Sequence, residues 1–333
     1  MVRSRIARRL NALWYSDQTP PALLRTAAGV YEYWVRVRLE RPAARPPCPV
    51  IVVGNLVAGG SGKTPVVAAL AEALDEAGFA VAIISRGYGG AHRGAPLRVG
   101  PGSASAQVGD EALELRRHTG RPVWVCRRRD AALEAALNDG AEVVVSDDGL
   151  QHTNLARSFE ICVVDGRRGF GNGYCLPAGP LRQPLARLKS VDLVLVKRFG
   201  DCSDKRSGNR SAPGLEGTEF RLDSTRLRAL TDSIAPPDPP GEIDALAGIA
   251  DPEPFFATLT ERGYRLRRHA LADHQPITAE MLGALPGPVV MTEKDSMRLP
   301  PVTRCDLFVL PVHARLPPSV LQRVIGHVRE FQA

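Results

Sequence analysis

The sequence predicts an α/β protein, a P-loop NTPase-like, doubly wound and mostly parallel sheet, preceded by an N-terminal amphipathic helix and followed by a smaller C-terminal α/β part. Three observations carry this prediction. Short apolar runs at 50–53, 81–84, 122–125, 143–145, 161–164 and 193–196 mostly alternate with helix-length segments, the pattern of strands buried on both faces of a parallel sheet. The first run breaks into glycines and ends in Gly62-Lys63-Thr64. Polar clusters stand where other runs end, at Ser85-Arg86-Gly87-Tyr88, Ser146-Asp147-Asp148 and Asp165-Gly166-Arg167, and ligands of such sheets bind at the carboxyl ends of the strands.

The first strand leads into Asn55-Leu56-Val57-Ala58-Gly59-Gly60-Ser61-Gly62-Lys63-Thr64, and helical apolar spacing follows over 66–77. Small residues free the backbone N–H groups of such a loop to cradle phosphate. Lys63 reaches the β/γ phosphates and the Thr64 hydroxyl ligates Mg²⁺. A strict G-x4-G-K-[ST] pattern puts glycine at 57, whereas this chain has Val57 and carries its extra glycines at 59 and 60.

The net charge of +7 is unevenly spread. Residues 1–46 hold nine arginines against Asp17, Glu32 and Glu40, so this segment carries most of the excess. The rest is a near-neutral globule, which argues against a nucleic-acid binder. The basic arm also holds two of the three tryptophans, Trp14 and Trp34. Pro20-Pro21 divides two helical patterns, and the second, over about 22–39, sets Leu23, Ala27, Tyr31, Trp34 and Arg38 along one stripe. Such a helix suits the surface of an anionic bilayer. No apolar run reaches the roughly 18 residues of a membrane span, and no signal peptide is recognised. The six cysteines show neither C-x-x-C nor Cys/His ligand spacing, so neither disulfides nor zinc are expected, and a reducing compartment fits.

Composition divides the chain into a basic arm (1–46), a P-loop core (47–200), a Ser-, Gly- and Pro-rich crossing (201–241) and a C-terminal α/β part (242–333) that completes the nucleotide and catalytic cleft. In the last part, strands are predicted over 243–249, 266–269, 288–292 and 307–311, with a helix over about 253–263.

Several constellations have chemical meaning. Asp147 and Asp148 follow a strand, where a P-loop protein places the carboxylate that holds Mg²⁺ or its water. Gln151 and His152 lie close to the same strand end. Asp110 begins a helix after Gly109 and is a candidate to accept the proton of an attacking hydroxyl. Asp273-His274 offers a carboxylate–imidazole pair across the cleft. Arg129, in the run Arg127-Arg128-Arg129, and Arg182 are cations able to balance phosphate. Thr292, Lys294 and Asp295, at the end of a late strand, are placed to meet a nucleotide base without the Asn-Lys-x-Asp order of guanine readers, so ATP is the expected nucleotide.

Together these residues identify a family. The stretch from Val53 to Pro65, Ser85-Arg86-Gly87-Tyr88-Gly89, Gly109-Asp110-Glu111-Ala112, Ser146-Asp147-Asp148-Gly149-Leu150-Gln151-His152, Pro177-Ala178-Gly179-Pro180-Leu181-Arg182, Ala247-Gly248-Ile249-Ala250, Ala272-Asp273-His274 and Thr292-Glu293-Lys294-Asp295 resemble, in that order, the tetraacyldisaccharide 4′-kinase (lipid A 4′-kinase) family. The displaced P-loop glycine is the family's own form. The resemblance implies transfer of the ATP γ-phosphoryl, with Mg²⁺, to the 4′-hydroxyl of a membrane-embedded tetraacyldisaccharide 1-phosphate, giving lipid IVA at the cytoplasmic face of the bacterial inner membrane. It implies a peripheral protein with no obligate protein partner. By position it assigns Asn55, Gly59, Gly60, Ser61, Gly62 and Lys63 to the nucleotide, Thr64, Asp147 and Asp148 to the metal, and Asp110 with His274 to the catalytic base. Ser85, Arg86, Tyr88, Arg129, Gln151, His152 and Arg182 fall toward the substrate. One position departs: the family usually has Glu where Gln183 stands, so a metal ligand there would be a neutral oxygen.

Two other classes compete with this reading. A nucleotide-hydrolysing switch or metallochaperone calls for a guanine-reading motif or a Cys/His cluster, and the sequence has neither. A kinase of a soluble metabolite leaves the Arg/Trp arm without a task.

Overall fold

The computed structural model describes residues 9–39, 45–198, 215–231, 234–273, 275–300 and 304–333. Among these, fourteen strands form two sheets. In chain order they are β1 (Val50–Gly54), β2 (Val81–Ser85), β3 (Leu97–Arg98), β4 (Val123–Val125), β5 (Val143–Asp147), β6 (Phe159–Asp165), β7 (Leu193–Arg198), β8 (Thr218–Ser224), β9 (Arg228–Ala229), β10 (Glu242–Ala247), β11 (Arg265–Ala270), β12 (Val289–Thr292), β13 (Leu307–Leu310) and β14 (Val312–Arg315).

The larger sheet has the order β14-β8-β7-β6-β1-β5-β2-β4-β3. Its inner pairs are parallel and only the two edge pairs, β3 with β4 and β14 with β8, are antiparallel. The smaller sheet, β11-β10-β12-β13-β9, is parallel except for β9. Every residue of β1, β2, β5 and β6 is buried, as the continuous apolar runs require. Helices cover both faces, the arrangement predicted. On one face lie α2 (Lys63–Glu76), through Val66, Val67, Leu70 and Leu74, and α3 (Asp110–Thr119), through Leu113 and Leu115. The other face takes α4 (Arg129–Asn138), through Ala132, Leu133 and Ala136. Each fully buried Leu or Val of these rows stabilises by about 1.5–3 kcal/mol.

The structure divides the chain differently from its composition. Within the crossing of 201–241, residues 201–214 and 232–233 lie outside the described residues, and the remainder supplies β8 to the large sheet and β9 to the small one. The last elements also leave the C-terminal part. β14 pairs with β8, and the final helix α6 (Pro318–Gln332) packs Val320, Val324 and Val328 into the core of the large sheet. The valines recur every fourth residue and form one apolar stripe, which gains most by covering an already wide apolar face. Between these returns, α5 (Glu253–Glu261) covers the small sheet with Phe255, Phe256 and Leu259.

The N-terminal helix α1 (Ala22–Leu39) is observed as predicted, but its stripe divides. Tyr31 turns toward the domain, where its hydroxyl donates to the Arg182 carbonyl at 3.0 Å, and Ala28 is buried beneath the helix. Leu23, Val30, Tyr33, Trp34 and Val37 are exposed, Leu23 at 81% and Trp34 at 61%. Their spacing sets them on one face.

Candidate active site

β1 lies between β5 and β6, with Val53 in register with Asp147. The loop that follows it therefore opens beside the acidic end of β5. Asn55 is fully buried and donates from Nδ2 to the Gly59 carbonyl at 3.2 Å, which folds the loop back on itself. Ala58 N–H donates to the Pro180 carbonyl at 2.8 Å, bracing the loop against the 175–182 segment. Gly59 and Gly62 have φ of 116° and 84°, a region that a side chain disfavours. Lys63 and Thr64 then begin α2, so its free N–H groups and the positive end of its dipole face the same space.

The Lys63 ammonium lies 3.5 Å from an Asp148 carboxylate oxygen. Arg182 reaches the same carboxylate at 3.0 and 3.3 Å and the Gln151 amide oxygen at 3.4 Å. Gln151 in turn donates to the Asn55 carbonyl at 2.7 Å. Asp148 occupies φ of 48°, a strained conformation for a non-glycine residue and one that clusters at functional sites. Burial works to raise its pKa, but Lys63 and Arg182 outweigh it and hold the carboxyl at about 2. Its neighbour behaves oppositely. Asp147 is buried, and burial, then the charges of Glu111 and Asp148, push its carboxyl up to about 7 against Lys63 and Arg129. Arg129 is itself buried, with Nη2 donating to the Asp147 carbonyl at 2.8 Å; burial brings its pKa down to about 10. His152 is pushed down to about 4 by burial and by Arg129 and Arg86, so its imidazole is neutral at neutral pH.

Buried polar atoms without a protein partner gather here: Asn55 Oδ1, Ser61 Oγ, Ser146 Oγ, Asp147 Oδ1 and Gln183 Oε1. Such atoms are costly unless something external satisfies them. They fit a hydrated cation and phosphate, because the donor set of Thr64, Asp147 and Asp148 is all hard oxygen, which Mg²⁺ prefers. Among the described residues no three His, Cys, Asp or Glu side chains form a metal cage, so phosphate and water oxygens would complete the shell. Gln183, at the departing position, is buried and donates from Nε2 to the Leu150 carbonyl at 3.2 Å.

Asp110 opens α3 at the mouth of the same region. Gly109 before it has φ of 87°, and a Cβ there would lie 2.3 Å from the Tyr88 carbonyl. Only glycine lets the 86–89 loop pass so closely, and this brings Arg86 and Tyr88, both exposed, to the start of α3. Ser85 is buried at the end of β2, and its carbonyl accepts the Cys126 N–H at 3.1 Å. The buried Asp110 carboxylate lies 3.3 Å from Arg298 Nε, a partner the sequence did not announce. His274, the other member of the expected base pair, lies outside the described residues.

Thr292 ends β12, and Lys294 and Asp295 lie in the short helical turn that follows it. Asp295 is fully buried, accepts the Gly248 N–H at 3.0 and 3.1 Å and the Thr292 hydroxyl at 2.6 Å, and pairs with Arg298. Lys294 reaches Glu111 on α3 at 3.2 Å. Arg298 and the loop-bracing carbonyls are site neighbours that no local pattern announces; Glu111 is marked only by its place beside Asp110 at a helix start.

The Tetraacyldisaccharide-1-P 4′-kinase family model matches residues 21–329. The chain belongs to that family. The 4′-kinase of Alkalilimnicola ehrlichii is 44% identical over 300 residues, covering 89% of this chain and 85% of the relative. The 4′-kinase of Aeromonas hydrophila is 40% identical over 329 residues, covering 95% of each. Among solved structures, LpxK from Aquifex aeolicus in complex with ATP superposes with a TM-score of 0.73 at 25% identity, covering 91% of this chain and 97% of that one. Membership makes it a phosphotransferase, a kinase of lipid A biosynthesis that uses ATP. Membership accounts for the P-loop, for the strand-end carboxylates and for the doubly wound sheet predicted from the apolar runs.

Proposed function

We propose that this 4′-kinase works as a peripheral enzyme on an anionic membrane surface, at the cytoplasmic face of the inner membrane, with the roles of its residues divided between the strand ends. The observation that carries the assignment is the convergence of Lys63 with Asp148, beside the partnerless buried oxygen of Asp147, at the ends of β1 and β5. Lys63 and the loop N–H groups bind phosphate, and Thr64 with Asp147 and Asp148 hold Mg²⁺. The bound ion supplies charge neutralisation for the transferring phosphoryl group. Arg182 and Arg129 keep the surrounding charge balanced, and Gln151 and His152 fall on the acceptor side. Asp110 accepts the proton of the 4′-hydroxyl, with His274 as its partner, and Arg298 fixes the carboxylate in place. Thr292, Lys294 and Asp295 serve the nucleotide side, with Lys294 linking the small sheet to α3 through Glu111.

The exposed apolar face of α1 supports the membrane reading. Trp34, Tyr33 and Leu23 lie beside arginines on a helix whose inner edge is anchored to Arg182 through Tyr31. No helix of the described residues is long and apolar enough to cross a membrane. The test is transfer of ³²P from γ-labelled ATP to tetraacyldisaccharide 1-phosphate in micelles by wild type and Lys63→Ala, with vesicle sedimentation alongside. Labelled lipid from wild type alone, with protein pelleting on anionic vesicles, is the expected result. Equal labelling by both proteins would remove Lys63 from its role.

A further inference from the structure

Lys197 is the penultimate residue of β7, two strands from β1, and lies under the phosphate loop from the side opposite Asp147. It is buried, and so is Asp165 at the end of β6; the two are joined at 2.8 Å. A Cβ placed on Gly62 would lie 3.3 Å from Lys197 Cδ and 3.9 Å from Nζ, so the lysine stem forms the wall of the loop immediately before Lys63. Leu222 of β8 completes that wall at 3.5 Å. Gly166 allows the β6 end to pass the β7 backbone, since a Cβ there would meet the Lys197 carbonyl at 2.6 Å. A cation in such a place is costly to bury, and a hydrophobic residue would fill the wall equally well. Asp165 does more than pair with it: its Oδ1 accepts the N–H groups of Arg167 and Arg168, and both side chains reach Asp251 of the other sheet's loop.

We infer that Lys197, locked by Asp165, is a positioning residue of the nucleotide site, holding the phosphate loop at Gly62 on the flank away from the Mg²⁺ carboxylates. This deepens the kinase reading and rests on it. Asp165 neutralises the ammonium, so the pair acts by keeping the loop shaped before nucleotide arrives.

The experiment compares wild type, Lys197→Met, Lys197→Arg and Asp165→Asn by calorimetric binding of Mg·ATP and by steady-state KM for ATP and for the lipid acceptor. Methionine keeps the stem that packs on Gly62 and loses the charge together with the bond to Asp165. Lys197→Met is expected to weaken Mg·ATP binding about tenfold and raise the KM for ATP alike, leaving the KM for lipid unchanged, with Lys197→Arg near wild type. Wild-type affinity in a folded Lys197→Met protein would overturn the inference. Should Lys197→Met not fold, Asp165→Asn decides: weakened binding supports the pair and wild-type binding sinks it. Failure of wild type itself to bind Mg·ATP would instead strike the kinase reading.

Discussion

The Arg182 guanidinium stands 3.0 Å from the Asp148 carboxylate. Through its carbonyl the same residue accepts the Tyr31 hydroxyl. One residue thus ties the acidic end of the large sheet to α1, the helix with the exposed apolar face. Removing the guanidinium leaves Asp148 with Lys63 alone and draws the lysine away from phosphate. Arg182→Ala is expected to lower kcat/KM for ATP by about 10- to 100-fold. Initial rates over a range of ATP concentrations check this, and unchanged kinetics would detach Arg182 from the site.

Asp147 makes a prediction about pH. Its folded pKa of about 7 lies above the ordinary aspartate value near 4. Between these values the ligand-free folded state binds more protons than the unfolded one, so this group's contribution to stability falls as pH rises from about 4 to about 7. Asp147→Asn lacks that dependence. Its Tm relative to wild type should rise between pH 5 and pH 8, while Mg²⁺-dependent transfer falls about 10² or more. A Tm difference independent of pH would show that the carboxyl does not titrate there.

The Asp110–Arg298 pair predicts a split between chemistry and binding. Asp110→Asn should reduce kcat by about 10² to 10⁴ with little change in the KM for ATP. Arg298→Ala removes partners of Asp295 and of the Gly248 and Gln275 carbonyls as well, and should lower Tm in addition to kcat. Near-normal turnover in Asp110→Asn would require another base.

Membrane contact is tested on α1 without touching the catalytic sheet. Leu23→Glu and Trp34→Glu, at exposed positions, should each weaken partitioning to anionic vesicles by about tenfold or more, since a buried side chain of this size contributes roughly 1.5–3 kcal/mol. Vesicle flotation at low and high salt reads the effect. Unaltered partitioning would move the contact to another surface.

Gly109→Ala combines a left-handed φ with a Cβ 2.3 Å from the Tyr88 carbonyl. The cost expected is at least about 1–3 kcal/mol in urea denaturation. An alanine tolerated without loss would mean that the 86–89 loop moves freely away from α3.

The apolar runs and the P-loop were legible because each depends on residues near one another in the chain: burial on both faces demands a continuous run, and a phosphate cradle demands small residues before a helix. Asp147 and Asp148 were legible for the same reason, as polar residues at a strand end. The division of α1 was not, because periodicity finds a stripe without saying which edge meets the protein; Tyr31 went inward and Trp34 stayed out. Nor did composition reveal that β8 and β14 join the large sheet, since a short strand beside a Ser/Gly-rich stretch has little local signal.

By itself the sequence determined the parallel sheet, the phosphate loop, the acidic strand end, the basic aromatic helix and, through its ordered motifs, the family. Tertiary structure alone decided that Arg298 meets Asp110, that Lys294 meets Glu111, and that Lys197 lies under Gly62. Those pairs lie on separate elements brought together by the packing of helices and sheets, and burial then shifts the pKa values of Asp147 upward and of Arg129 and His152 downward, because desolvation depends on what surrounds a group in space.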